Sequence, residues 1–158
     1  MVLGPLSQII IGDLTIERVS QFKLLGITVS DKLRWNDNVA NICFKMNKHL
    51  HFLKQLKRAA MSTNDFLFFY QAVVRPVAEY ACRVWHPGLT VDQSDRIESI
   101  QRRAMKIIFN VCVYIDALQF ANFPLLAERH DQLTRRFFDK MCDVSITCCL
   151  PSMTVVFN

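Results

Sequence analysis

Glycine is scarce in this chain: only four of its 158 residues are glycine, at positions 4, 12, 26 and 88. A phosphate-binding loop, a dinucleotide-binding turn and a nucleophile elbow each need at least two closely spaced glycines, so these motifs are excluded. The sequence also has no H-E-x-x-H, no H-x-D or H-x-E and no adjacent aspartates. These are the patterns of a zinc peptidase, an iron facial triad and a paired-aspartate polymerase site, so we expect no catalytic residue, no metal and no cofactor.

Paired cysteine motifs are absent as well. The six cysteines are scattered, two of them are adjacent, and no C-x-x-C occurs. This usage is typical of reduced thiols, and no secretory signal pattern opens the chain, so we expect a cytoplasmic or nuclear protein that is not secreted. The apolar runs are shorter than the roughly 18 residues of a membrane span, so no membrane partner is expected.

One pair of residues has the spacing of metal ligands on a helix. Cys82 and His86 are four residues apart, but the sequence places no third ligand beside them. Zinc needs at least three protein ligands. We therefore favour the alternative interpretation, in which Cys82 is a core thiol and His86 ends a helix.

What the chain does contain is apolar surface and a moderate excess of basic residues. Apolar residues make up 51% of the sequence, enough for one compact domain with its own core. The formal net charge is +5 and the pI is near 9.0, which favours an anionic partner.

The hydrophobic periodicity predicts a mainly α protein. Residues 1–35 are predicted to form a small antiparallel sheet of a hairpin and a third strand, 36–143 a bundle of four to five helices, and 144–158 a tail without clear period. Strands over residues 8–11 and 14–18 flank a turn at Gly12–Asp13. The third strand covers 22–29, with Gly26 marking a bulge or a close backbone approach.

Helices are predicted from stripes of period 3.6. The first runs from a cap at Asn36 or Asp37 to about Arg58, and the second starts at a Ser62–Asp65 capping box and is kinked by Pro76. Its apolar face is predicted to continue through Val77, Tyr80, Ala81 and Val84. A third helix starts near Thr90 or Ser94, a short one covers 116–121, and the last ends near Asp143 with Leu126, Leu133, Phe137 and Met141 inward.

The clearest functional signal is a charge gap, because no acidic residue lies between Asp37 and Asp65. A one-signed helical face attracts phosphate, although an ordinary solvated face has the same composition. Trp35 and Trp85 are candidates for stacking on bases, but packing over the core is the favoured interpretation. The predicted nucleic-acid-binding residues are Lys45, Lys48, Lys54, Lys57 and Arg58, with a second cluster of Arg102, Arg103 and Lys106.

Four segments, in this order and spacing, resemble one known family. They are FKLLGITVSDKLRWNDNV (22–39), ICFKMNKHLHFLKQLKRA (42–59), FYQAVVRPVAEYACRVWHPGLT (69–90) and DRIESIQRRAMKII (95–108). Over about residues 8–143 the chain resembles the C-terminal part of reverse transcriptases of non-LTR (LINE, Jockey-like) retrotransposons. The resemblance implies a primer grip at Phe22, Lys23, Leu25 and Gly26, and a thumb-like helical body that contacts an RNA or RNA–DNA duplex weakly and in a salt-sensitive way.

In that family the catalytic aspartates belong to a palm that would precede residue 1. The resemblance therefore implies a non-catalytic, truncated fragment of an RNA-directed DNA polymerase that keeps a template–primer contact surface. One alternative is a structural helical fragment without a ligand, which self-associates through exposed packing surfaces. Residues 22–58 also resemble a short N-terminal segment of AlkB-type tRNA-modifying proteins, but the motifs of an oxygenase or a methyltransferase are missing from the sequence.

Overall fold

The computed structural model describes residues 10–110 and 113–148 of the chain. Predictions on residues 8–9 and 149–158 lie outside these described residues. The prediction of a mainly α protein is confirmed. The helices are α1 (Asn36–Arg58), α2 (Thr63–Phe69), α3 (Arg75–Glu79), α4 (Cys82–Trp85), α5 (Val91–Phe109), α6 (Tyr114–Ala121) and α7 (Leu126–Cys148).

The strands form two separate two-stranded hairpins, so the predicted three-stranded sheet is wrong. β1 (Ile10–Ile11) pairs with β2 (Leu14–Thr15), and β3 (Gln21–Leu24) pairs with β4 (Ile27–Ser30). The predicted single strand over 22–29 is itself a hairpin. Leu25 and Gly26 have φ values of 46° and 84°, and two left-handed residues in succession reverse the chain tightly. The glycine signals this turn rather than a bulge.

The inward stripe of α1 is confirmed except at Cys43, which was predicted to belong to it and is only partly buried. The other members are completely or almost completely buried, and α5 is the helix with the most extensive contact to α1. The predicted cap is wrong, because α1 begins after Trp35 without a side-chain cap. Asn36 instead accepts a hydrogen bond from Gln93 at 2.5 Å, and Asp37 accepts one from Gln21 at 2.7 Å. The buried residues of the stripe are Val39, Ile42, Met46, Leu50 and Leu53.

The segment from Thr63 to Gly88 is a helix interrupted twice. The Ser62–Asp65 capping box is present, and a π-helical stretch over Tyr70–Val74 precedes Pro76, whose missing N–H leaves the regular ladder incomplete. Ala81, at φ 49°, breaks the helix again. This break changes the helical phase, so Tyr80 and Val84 are exposed where an inward position was predicted. Ala78, Cys82 and Trp85 are buried instead.

The last three helices follow the predicted order. Thr90, one of the two predicted starts, caps α5 in a capping box with Gln93, whereas α7 extends to Cys148, past the predicted end at residue 143. Over residues 126–142, the part of α7 whose side chains are described, the last buried residue is Thr134. Phe137 and Met141 are 36% and 52% exposed, and the Arg83 guanidinium lies over the Phe137 ring, 4.9 Å from its centroid. Their predicted inward orientation is wrong.

Both tryptophans pack in the core, Trp85 completely and Trp35 at 8% exposure, which confirms the packing interpretation. Among the described helices, none is by itself long and apolar enough to cross a membrane. Taken together, the bent pair of α5 and α6 reaches that length and composition.

Candidate nucleic-acid interface

The α1 and α5 helices run side by side in the same direction. Hydrogen bonds join Gln93 to Asn36 near their starts and Arg103 to Asn47 at 2.7 Å near their middles. Near their ends, the Lys57 ammonium donates to the Ile107 carbonyl at 2.5 Å. The C-terminal turns of the two helices therefore lie at the same end of the molecule.

An open groove of about 510 Å³ lies between these C-terminal turns. We call it the basic groove, because no carboxylate lines it. Within the described part of the chain, none of its cations forms an ion pair with a carboxylate. The helices bring two clusters together that are about fifty residues apart in sequence. The cations that line the groove are Lys54, Lys57 and Arg58 of α1 and Arg103 and Lys106 of α5.

Three of the predicted nucleic-acid-binding residues do not line the basic groove. Lys45 and Lys54 are nine positions apart, which at about 100° per residue places them on opposite sides of α1. Lys48 is exposed, and the Arg102 guanidinium lies over the Tyr114 ring, 5.1 Å from its centroid. The predicted continuous face from Lys45 to Arg58 is therefore divided between two sides of the helix.

The β3–β4 hairpin carries the residues of the predicted primer grip. Its turn is held by the Tyr80 hydroxyl, which donates to the Leu25 carbonyl at 2.8 Å. Phe22 and Leu25 are 60% and 81% exposed, Lys23 is also exposed, and a side chain at Gly26 would meet the Tyr80 ring at 3.6 Å. The structure thus presents this turn and strand β3 at the surface.

Strand β4 attaches the hairpin to α1 through its outer edge. The Thr28 N–H donates to Asn38 Oδ1 at 3.3 Å, and Asn41 Nδ2 donates to Thr28 Oγ1 at 3.1 Å. Between the turn, α1 and α3 lies a pocket of about 350 Å³, which we call the hairpin pocket. Gly26 and Lys45, predicted separately as site residues, both line it.

The core contains a polar network that the sequence did not predict. Gln101 accepts a hydrogen bond from the Tyr70 hydroxyl at 2.5 Å and donates to the Tyr114 hydroxyl at 3.0 Å. The Tyr114 hydroxyl also donates to Glu98, whose carboxylate accepts the first N–H of α7 at 2.8 Å. Burial raises the pKa of both tyrosines, so they stay protonated donors. The sequence feature that indicates this network is Gln101, a polar residue at an inward position of α5.

Glu79 and His86 are partly buried titratable groups, and His130 is a buried one. Burial alone would raise the pKa of Glu79, but hydrogen bonds from Arg129 and Arg75 outweigh it and lower that pKa. His86 and His130 lie with their ring centroids 5.1 Å apart, and burial lowers the pKa of His130 to about 4. Among the described residues, no three His, Cys, Asp or Glu side chains are placed to share a metal ion, so Cys82 and His86 gain no third ligand there.

Comparison of the chain with protein-family models, with curated proteins and with solved structures found no match. The resemblance to retrotransposon reverse transcriptases therefore stays a prediction from the quoted segments.

Proposed function

We propose that this protein is a non-catalytic nucleic-acid-binding module of the reverse-transcriptase type, which contacts an RNA or RNA–DNA duplex through the basic groove. The observation that carries the proposal is the convergence of five cations from two helices on one groove without a lining carboxylate. We further propose that it acts in the cytoplasm or nucleus, where such a duplex is present.

The shape and charge of the groove suit a phosphate backbone. Lysine and arginine side chains on two parallel helices present several donors around one groove, and each phosphate contact releases condensed counterions. Because the groove is open, its cations reach a ligand that is far larger than the groove itself. Recognition of this kind is independent of base sequence.

The hairpin supplies a second contact in this proposal. Lys23 is exposed on β3 beside a turn whose Gly26 has no side chain, so a sugar–phosphate backbone has close access. Its exposed apolar neighbours Phe22 and Leu25 offer surfaces against the sugars. The hairpin and the basic groove lie on different sides of α1. Because the groove offers five cations and the hairpin offers Lys23, we assign the larger share of the affinity to the groove.

A purely structural explanation of the groove competes with this proposal. Lys57, Arg58 and Lys106 lie in the last turns of their helices, where cations stabilise the negative end of the helix dipole. Lys57 also donates to a carbonyl at the end of α5. A structural helical fragment without a ligand would use the same cations for this purpose and would self-associate through exposed apolar side chains such as Phe138.

Charge removal in the groove separates the two explanations. We compare the Lys54→Gln/Lys106→Gln variant with Lys32→Gln/Lys140→Gln, which loses the same charge at exposed sites that do not line the groove. Binding of a fluorescent RNA–DNA hybrid is measured by anisotropy near 0.1 M salt. Since each lost phosphate contact costs roughly tenfold in affinity there, the groove variant should bind at least tenfold more weakly than the matched control.

Two outcomes would contradict the proposal. Equal affinities of the two variants would mean that only net charge matters, and no binding by the unmodified protein even at low salt would favour the structural fragment. A third variant, Lys45→Gln/Lys48→Gln, tests the face first predicted from the sequence. We expect it to weaken binding less than the groove variant.

A further inference from the structure

The hairpin pocket contains a feature that the proposed function does not use. We propose that this pocket binds a small organic carboxylate, with the acid group held by α1 and an apolar body packed against α3. The inference stands on the geometry of the pocket and does not depend on nucleic-acid binding.

One wall of the pocket is a strip of hydrogen-bond donors on α1. Asn38, Asn41 and Lys45 are spaced by three and four residues, so their side chains lie on the same side of the helix. Asn41 already donates through Nδ2 to Thr28, and Lys45 contributes the cation. No Asp or Glu lines the pocket, so nothing there opposes a bound anion.

Asn38 provides the second, independent observation. Its side chain is only 3% exposed, and its Oδ1 is occupied by the Thr28 N–H, which fixes the orientation of the amide. Its buried Nδ2 has no hydrogen-bond partner among the described residues. A buried N–H without a partner is unfavourable, so a ligand oxygen that accepts from it satisfies a donor that the fold leaves unpaired.

The opposite wall is apolar. Pro76 and Val77 of α3 face the strip, and the Tyr80 ring, held by its hydroxyl bond to Leu25, closes the side next to the turn. The floor includes buried Trp85. A cavity of about 350 Å³ with one polar wall and one apolar wall suits a compact amphipathic acid better than a polyphosphate, which would need more than one cation.

The experiment uses three probe compounds that separate charge from apolar contact. Benzoate carries both features, benzamide lacks the charge and acetate lacks the apolar body. Each is titrated into ¹⁵N-labelled full-length protein, and the side-chain amide signal of Asn38 is followed by NMR. For a benzoate-sized ligand we expect saturable shifts with a Kd on the order of 1 mM.

Variants then locate the anion. Lys45→Gln should weaken benzoate binding at least fivefold, whereas Lys48→Gln, which removes an exposed lysine from the same helix without touching the pocket, should leave it unchanged. Benzamide and acetate should each bind at least fivefold more weakly than benzoate. The proposal would be overturned if the Asn38 signal showed no saturable shift up to about 20 mM benzoate, which is about twenty times the expected Kd. Equal effects of the two lysine variants would also overturn it, and solvent would then be the pocket's occupant.

Discussion

His130 is a histidine that the fold keeps neutral. It is 2% exposed, it packs edge-on against Trp85 with ring centroids 5.2 Å apart, and its Nε2 has no partner among the described residues. Burial, with a further contribution from His86, lowers its pKa from 6.5 to about 4. At intermediate pH the unfolded chain therefore binds a proton that the folded chain does not.

The folded protein should accordingly lose stability as the pH falls from about 6.5 to 4, by about 3 kcal/mol for His130 alone. Glu79, whose pKa is lowered from 4.5, contributes a loss of stability only below pH 4.5, so most of the pH range over which His130 acts is separate from it. Urea unfolding at several pH values measures the effect. The His130→Gln variant should flatten the slope between pH 6.5 and 5 and the exposed His51→Gln variant should not, and a wild-type stability that is constant over this range would contradict the assignment.

The β3–β4 turn shows a conflict between local preference and fold. Leu25 has φ 46° and is 81% exposed, although a leucine side chain disfavours the left-handed region by about 1 kcal/mol or more. Asparagine tolerates this conformation and is the preferred first residue of such a turn before glycine.

Replacing this leucine should therefore stabilise the hairpin. We expect Leu25→Asn to raise the free energy of unfolding by about 0.5–1 kcal/mol and to slow amide exchange in β3 and β4. The bond from Tyr80 is unaffected, since it involves the backbone carbonyl. Leu24→Asn is the matched control, because Leu24 is also exposed but has extended backbone, and it should give no gain. A loss of stability in Leu25→Asn would contradict this account of the turn.

At the scale of elements, the sequence predicts what depends on local spacing. The α1 stripe and the Ser62–Asp65 box follow from spacings of three and four residues and were found as predicted. The break at Ala81 and the hairpin at Leu25 were missed, because neither alanine nor leucine signals a left-handed backbone. Phe137 has the helical spacing of a core residue, but its exposure depends on which elements pack against α7, and the spacing does not show this.

At the scale of the whole molecule, the candidate site follows from helix packing. The sequence identifies Lys54 and Lys106 as basic residues, but their common groove exists only because α1 and α5 run in the same direction. Tertiary direction of this kind is not encoded in any local pattern, so the residue types of the groove were predictable and the joining of its two clusters was not. The separation of Lys45 from Lys54, by contrast, follows from their spacing on α1 alone.

The salt dependence of duplex binding tests the central claim most directly, because its slope counts phosphate contacts independently of absolute affinity. The affinity for an RNA–DNA hybrid is measured from low to moderate salt for the wild type, Lys54→Gln/Lys106→Gln and Lys32→Gln/Lys140→Gln. If the basic groove holds the backbone, the logarithmic slope falls by about two in the groove variant and stays unchanged in the control. A slope that is the same in all three proteins would contradict the account.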